Sequence, residues 1–331
     1  MALSIGIENF TVNRTAFTIP IFGGIEIRWY GIIITTGIIL AFIYSARRAK
    51  QEGIILDDLL DIGIFTVIFA VVGARLYYVL TSLDEYSSFY DIIAIWNGGL
   101  AIYGAIIAGG ITVFIVCRYK KINYLKAFDM IAPGVLIGQI LGRWGNFFNG
   151  EAYGEVVKEG SPLYFLRLGL LPNMKSATTM YYFHPTFLYE SLWNLVGFLI
   201  INALYRKKKF NGQIFLMYIT WYGFGRMFIE GLRTDSLMVG AFRISQLVGF
   251  SSFVVGAILL VVFLAKAHRE KITAGEYTPA FPKISRSATP EQTSGIKPES
   301  EEPETESAND DEILNEEVIS DKLKNVFDKK D

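Results

Sequence analysis

Seven apolar runs leave this chain few folds to choose from. They are Ile25–Ala46, Leu59–Leu80, Gly98–Cys117, Ala127–Phe148, Pro185–Tyr205, Gln213–Ile229 and Ile244–Ala265. Each is near the ~20 residues that carry a helix across a hydrocarbon layer. A bilayer admits only structures that satisfy their own backbone polar groups, and runs of this length do so as α-helices. The expected fold is an all-α polytopic membrane protein with seven transmembrane helices. The second, fourth and sixth runs are the weakest, because glycines and charges interrupt them.

Charge in the connections sets the expected orientation. Arg47, Arg48 and Lys50 follow the first run. Arg118, Lys120, Lys121 and Lys126 follow the third, Arg206 to Lys209 the fifth, and Lys266, Arg269 and Lys271 the seventh. Every second connection is basic, whereas 81–97 contains no Lys or Arg. The positive-inside rule then puts the N-terminus outside and the C-terminal end in the cytoplasm. No basic segment followed by an apolar core and a small-residue cleavage site opens the chain, so the first span is expected to insert uncleaved.

Composition changes near Glu270. From there to the end, 16 acidic residues face 8 basic ones, while the preceding part holds 23 basic and 16 acidic. The expected domains are an extracytoplasmic segment 1–24, a membrane catalytic domain 25–269, and an acidic, largely disordered cytoplasmic tail 270–331 that cannot bury a core. Within the tail, Glu312–Phe327 spaces Leu314, Val318, Ile319, Leu323, Val326 and Phe327 roughly as a helix does, which suits a weakly helical end more than a partner-binding helix. Residues 149–184 are too long for a turn and read as an ordered extracytoplasmic cap. The aromatic, acidic stretch Ser82–Trp96 suits the outer membrane interface. Cys117, the single cysteine, reads as a small core residue, and with two histidines in the chain no metal site is expected.

Polar residues inside the spans are costly and are functional candidates by default. Arg143 lies about 24 Å along the fourth span at ~1.5 Å per residue, in the outer part of the membrane. Arg226 and Arg75 reach a similar level on the sixth and second. Tyr30, Tyr103 and Glu190 come early in the first, third and fifth, and His184 immediately precedes the fifth. Polar residues with purely local roles have no reason to share a depth, so the pattern implies one outward-facing site. Spacing adds facing: Arg226, Glu230 and Arg233 form one helical stripe, as do Arg143 and Asn146. Neighbouring arginines require anions between them. Glu230, Glu151 and Glu190 offer some, and a phosphate suits the guanidinium fork. For Arg75 a structural pairing with a Glu is the stronger reading. The glycines around both arginines are read as making room for a polar head group or for close backbone packing. A transporter also wants arginines in a cavity, but it needs both faces, and no matching inner polar set stands out among the spans. A scaffold protein would not need the intramembrane layer.

These same residues carry a resemblance. Gly142-Arg143-x-Gly145-Asn146-Phe147-x-Asn149-x-Glu151-x-x-Gly154 resembles the signature of bacterial prolipoprotein diacylglyceryl transferases. Ile27-Arg28-Trp29-Tyr30-Gly31, Gly73-Ala74-Arg75, His184-Pro185-Thr186-x-Leu188-Tyr189-Glu190 and Gly225-Arg226-x-x-x-Glu230-x-x-Arg233 agree with it. The match runs from about Arg28 to Ala265 and leaves out the tail. One position departs: Tyr103 stands where many members have histidine, and a phenol with an ordinary pKa near 10 is a poor base at neutral pH.

The resemblance implies an inner-membrane enzyme that moves the sn-1,2-diacylglyceryl group of phosphatidylglycerol to the lipobox cysteine of a preprolipoprotein. A thioether forms and sn-glycerol-1-phosphate leaves. The nucleophile belongs to the substrate, in keeping with an enzyme whose own cysteine is structural. No cofactor and no nucleic acid are expected; the partners are the lipid, the signal peptide and the surrounding membrane. The implied catalytic residues are Arg143, Arg226, Glu151, Glu230, Tyr103 and His184. Arg143, Asn146, Asn149, Gly154, Tyr30, Arg226, Arg233 and Glu190 are the implied lipid-binding set. Arg143 and Arg226 would clamp the phosphate, Glu151 and Glu230 would hold the arginines or take the thiol proton, and Gly154 would allow a tight turn.

Overall fold

The computed structural model describes residues 3–5, 14–20, 24–86, 88–161, 164–170, 181–234, 238–240 and 242–274. All belong to the compact unit 1–283; the second unit, 284–331, lies outside the described residues. So do most of the tail 270–331, with its 312–327 helical spacing, and Pro162 and Pro172 of the cap.

The elements in order are strands β1 (Leu3–Ile5), β2 (Thr15–Ile19) and β3 (Ile25–Arg28), then helices α1 (Trp29–Glu52), α2 (Leu56–Thr81), α3 (Phe89–Ile93), α4 (Ile102–Tyr119) and α5 (Tyr124–Asn149). Strands β4 (Leu168–Leu170) and β5 (Tyr181–Phe183) precede α6 (Thr186–Leu204) and α7 (Gln213–Ile229). Strands β6 (Met238–Val239) and β7 (Phe242–Arg243) lead into α8 (Ile244–Ala274). Among the described residues, six helices are long and apolar enough to cross a bilayer: α1, α2, α4, α5, α6 and α8. Their outward faces carry exposed Ile38, Ile39, Ile64, Phe65, Ile106, Ile107, Ile258 and Val261. A soluble protein does not expose apolar surface on this scale; the chain is a multi-pass membrane protein. The sixth run of the sequence, α7, is a 17-residue helix that continues into a 3-10 turn, Glu230–Leu232.

Several sequence boundaries are corrected, α1 among them, which runs past Ala46 to Glu52. Residues 25–28 form β3, not the start of the first helix, because they pair with β2. Residues 98–101 lie outside α4: Gly98 and Gly99 take positive φ (90° and 75°), a conformation no helix contains. At the other end of the chain, α8 runs past Ala265 to Ala274. Within the stretch 82–96, Leu83–Glu85, Phe89–Ile93 and the start of Ile95–Asn97 form short helical turns.

Small residues set how the helices approach. A Cβ on Gly73 would lie 2.8 Å from Gly104 O, and one on Gly223 2.6 Å from Gly249 O. Backbones in near contact recover dispersion energy that lipid tails would otherwise match, the usual basis of association in bilayers. The pairs α1/α5, α2/α4 and α7/α8 pack this way, each antiparallel.

Beyond the helices, the chain builds small sheets. β1 pairs with β4 and β4 with β5, so the N-terminal segment and the cap share one antiparallel sheet. The hairpin β2–β3 leads directly into α1. Two apolar clusters mark the ends of the bundle. Ile62, Val113, Cys117, Ala127 and Met130 form one. Phe147, Leu168 and Phe187, with Trp144 and Phe183 packed on them, form the other, under the cap.

Candidate functional site

α5 stops where Gly150 turns left-handed (φ 65°) and its N–H bonds back to Phe147 O at 3.1 Å. Ala152 follows with φ 59°. This reversal folds Glu151 back over the end of its own helix, where its Oε1 accepts from Asn146 Nδ2 and Asn149 Nδ2, both at 3.1 Å. A carboxylate at the negative end of a helix is disfavoured by the macrodipole. The two amides offset that and leave Glu151 exposed.

Arg143 sits two turns before the stop and reaches across to α6. Its Nη2 donates to Glu190 Oε1 at 2.6 Å. The other oxygen of Glu190 accepts from Arg226 Nη1 of α7 at 2.8 Å. Arg226 Nη2 pairs in turn with Glu230 Oε2, one turn on. Both carboxylates are 3 % exposed, whereas Arg143 keeps 19 % of its side chain accessible and Arg226 11 %. The arrangement is an alternating chain, Arg143–Glu190–Arg226–Glu230, with the anions sealed and the cations reaching outward. Glu190, assigned by resemblance to lipid binding, is thus the bridge between the arginines. Glu151 holds the two asparagines and not an arginine.

Three segments meet at Gly154 and close the site from the cap side. Gly154 N donates to His184 O at 2.9 Å, His184 N to Glu155 O at 3.0 Å, and Glu155 N to Leu232 O at 3.1 Å. Gly154 also bridges to Arg233. Its φ is not left-handed, so the tight-turn reading is corrected: glycine is needed because a Cβ would sit 2.8 Å from both His184 Cβ and Leu232 O. The His184 ring makes a 3.1 Å contact through Nδ1 to Tyr189 Oη.

The tyrosines divide. Tyr30 lies against Gly145, where a Cβ would be 2.8 Å from its Cδ2, so it borders the Arg143 helix. Tyr103 instead hydrogen-bonds Ser245 Oγ of α8 at 2.8 Å. Gly249, one turn along that face of α8, packs on Arg226, where a Cβ would be 3.1 Å from Arg226 Cβ. Tyr103 is therefore tied to the neighbour of an arginine and not to the ion chain itself.

Arg75 shares the depth of the site without joining its ion chain. It donates to the carbonyls of Ile92 (2.8 Å), Gly98 (2.7 Å), Gly99 (3.0 Å) and Asp91 (2.5 Å). Its partners are backbone carbonyls and not a glutamate, and they hold the 82–101 connection onto α2. The glycines are corrected in the same way. Gly225, beside Arg226, makes room for the Trp193 ring, which stacks on Trp221 at 4.3 Å.

Sequence reasoning missed Tyr222, whose hydroxyl lies 3.4 Å from Glu190 Oε1, and Arg243, which donates to Glu230 O at 2.6 Å. Tyr222 was findable, being one turn before Arg226 on the same stripe. It also missed a second ionic cluster at the opposite end of the bundle. There Lys208 Nζ pairs with Glu52 Oε1 at 2.6 Å and Asp129 Oδ2 at 3.0 Å, all three almost fully buried. The expectation was that no matching polar set stands among the spans, and of these three residues Asp129 alone lies in one of the expected spans. Glu52, the last residue of α1, and Lys208 fall in stretches that read from sequence as ordinary polar loops, and only folding brings them onto Asp129.

The matched family model is described as prolipoprotein diacylglyceryl transferase and covers residues 16–262. Three relatives share the name phosphatidylglycerol–prolipoprotein diacylglyceryl transferase. One from Streptococcus uberis is 43 % identical over 255 residues, 75 % of this chain and 94 % of its own. One from Limosilactobacillus reuteri is 44 % identical over 247 residues, covering 72 % and 88 %. One from Finegoldia magna is 44 % identical over 256 residues, covering 76 % and 96 %.

Proposed function

The chain belongs to the prolipoprotein diacylglyceryl transferase family, and from that premise we propose how its residues carry out the transfer. It is a membrane-embedded transferase of lipoprotein biosynthesis. The sulfur of the acceptor cysteine attacks C3 of the diacylglyceryl group of phosphatidylglycerol. The S–C bond forms as the C–O bond to phosphorus breaks, and the products are a thioether and sn-glycerol-1-phosphate. The thiol proton goes to a base or to the departing phosphate.

Charge grows on that phosphate as the bond breaks. Arg143 and Arg226 supply fixed positive charge there, a form of stabilisation that commonly dominates catalysis. The observation that carries the reading is Glu190: one buried carboxylate orients both guanidinium groups while leaving part of each accessible. Glu230 fixes Arg226 from its other side, and Arg233 adds charge next to Gly154. Glu151, exposed and positioned by Asn146 and Asn149, is the group assigned to take the thiol proton. Tyr30 borders the lipid head group, Tyr103 supports α8 behind Arg226, and His184 holds the loop at Gly154.

In the membrane, seven spans with the N-terminus outside place the arginine chain toward the outer leaflet of the bacterial inner membrane. The orientation is supported by the basic connections 47–50, 118–126 and 206–209, which lie at the opposite end of the helices from Arg143. The count of seven is supported by the turn that lengthens α7. On this reading 25–269 is the catalytic domain with its cap at 149–184, 1–24 is extracytoplasmic and 270–331 is the cytoplasmic tail.

The test is to incubate the purified protein with phosphatidylglycerol vesicles and a lipobox peptide and weigh the product. A mass gain of one diacylglyceryl group on the cysteine is expected; an unmodified peptide would sink the reading.

A further inference from the structure

A groove of about 710 Å³ opens beside the start of α1, bordered by Glu26, Arg28, Tyr30, Thr35, Thr36 and Asn149. It touches the proposed transfer site on two sides. Asn149 is one of the two amides that hold Glu151, and Tyr30 packs on Gly145 of the Arg143 helix.

Its chemistry differs from that of the arginine chain. One Glu and one Arg balance each other, and the remaining polar lining is neutral hydroxyl and amide. A phosphate gains little in such a place, whereas an uncharged main chain finds donors and acceptors along it. β3 forms one wall. In its two-stranded sheet the one neighbour is β2, so among the described residues the other edge of β3 has no strand partner. Such an edge is a ready template for an extended segment, which binds by adding a strand.

Further along α1 the character changes. A Cβ on Gly31 would meet nothing within 4 Å, so the helix backbone is open there. Thr35 and Thr36 stand exposed at the lip, and the face continues as exposed Ile38 and Ile39. A ligand matched to this sequence of surfaces is extended and uncharged beside β3 and apolar beside the rest of α1.

We infer that the groove seats the acceptor polypeptide, with its extended segment along the edge of β3 that has no strand partner among the described residues and its apolar segment against α1. The thiol then reaches Glu151 and Arg143 past Asn149, while the lipid phosphate approaches the arginines separately. This rests on the transferase reading for the identity of the peptide, but the seat itself is measured independently of transfer.

The experiment places the photoreactive residue benzoylphenylalanine at Thr35 in the full-length protein, and at Ile68 of α2 as a lipid-facing control. Each is irradiated with phosphatidylglycerol vesicles and a peptide carrying an apolar segment followed by small residues and cysteine. Adducts and transfer product are both read by mass spectrometry. Peptide adducts at Thr35 and not at Ile68 are expected; if they form while the Ile68 protein gives no transfer product either, the seat stands and the transferase reading fails. Lipid adducts alone at Thr35, in a sample that modifies the peptide, overturn the seat. Independently, Thr35→Trp is expected to raise KM for the peptide about tenfold, the equivalent of ~1.4 kcal/mol of lost contact, with KM for phosphatidylglycerol unchanged. An equal rise in both also overturns it.

Discussion

Two ionic clusters lie at opposite ends of the same bundle, and they are built differently. The Lys208 cluster is closed. Glu52 and Asp129 face one ammonium, Tyr205 Oη donates to Glu52 at 3.0 Å, and the backbone N–H groups of Gly212 and Phe215 donate to Asp129 at 2.8 and 3.0 Å. Lys208 is 1 % exposed. Every charge there is spent on holding α1, α5, α6 and the start of α7 together. The arginine cluster seals its carboxylates just as tightly but leaves both guanidinium groups part-accessible. The difference separates a staple from a staple with an open cationic surface, and only the second can receive an anion.

The sharpest way to break that comparison is to remove one cation from each end. Arg143→Ala leaves Glu190 its second partner, Arg226, so the fold is expected to keep its melting temperature. Transfer should fall by about 10²–10³-fold or more, the usual loss when a group facing the developing charge is deleted. Lys208→Met is expected to do the reverse. It leaves two buried carboxylates without a cation, at a cost of ~3–5 kcal/mol, read as a lower melting temperature in detergent. Transfer per folded molecule should stay near the parent value. If Lys208→Met abolished transfer in fully folded protein, the lysine cluster would not be a mere staple.

Smaller effects test the site's surroundings. Gly154→Ala must push His184 or Leu232 aside, an overpacking cost of ~1–3 kcal/mol. It should also displace Arg233, and transfer is expected to drop while Arg143 stays in place. Tyr103→Phe removes one hydrogen bond, worth ~0.5–1.5 kcal/mol. Transfer is therefore expected to fall by no more than about tenfold, and Ser245→Ala should reproduce that change. A complete loss in Tyr103→Phe would instead put the phenol in the chemistry.

The sequence made the arginine end legible and left the lysine end hidden, for physical reasons. Arg143, Arg226 and Glu190 fall inside apolar runs, where a charge cannot pass as a surface residue, and counting residues along each span gave them one depth. Depth alone could not give partners. Arg75 lies at the same level, yet the chain after α2 returns to wrap its carbonyls around it. Of the three glutamates expected between the arginines, Glu190 and Glu230 are there and Glu151 is not: the left-handed reversal at Gly150 and Ala152 turns it onto Asn146 and Asn149. Among the glycines, Gly154 does meet a backbone carbonyl closely, whereas Gly145 and Gly225 make room for the Tyr30 and Trp193 rings, tertiary contacts that no local pattern announces. At the other end, Lys208 is one of four consecutive basic residues in a connection, and nothing local distinguishes the buried one. The pairing of β1 with β4 joins segments far apart in sequence and was equally invisible.

The most direct measurement is mass spectrometry of a lipobox peptide after incubation with phosphatidylglycerol and Arg143→Ala protein of parental melting temperature. Loss of the diacylglyceryl adduct to background is the predicted result. Transfer within tenfold of the parent would contradict the claim that the open arginine surface carries the reaction.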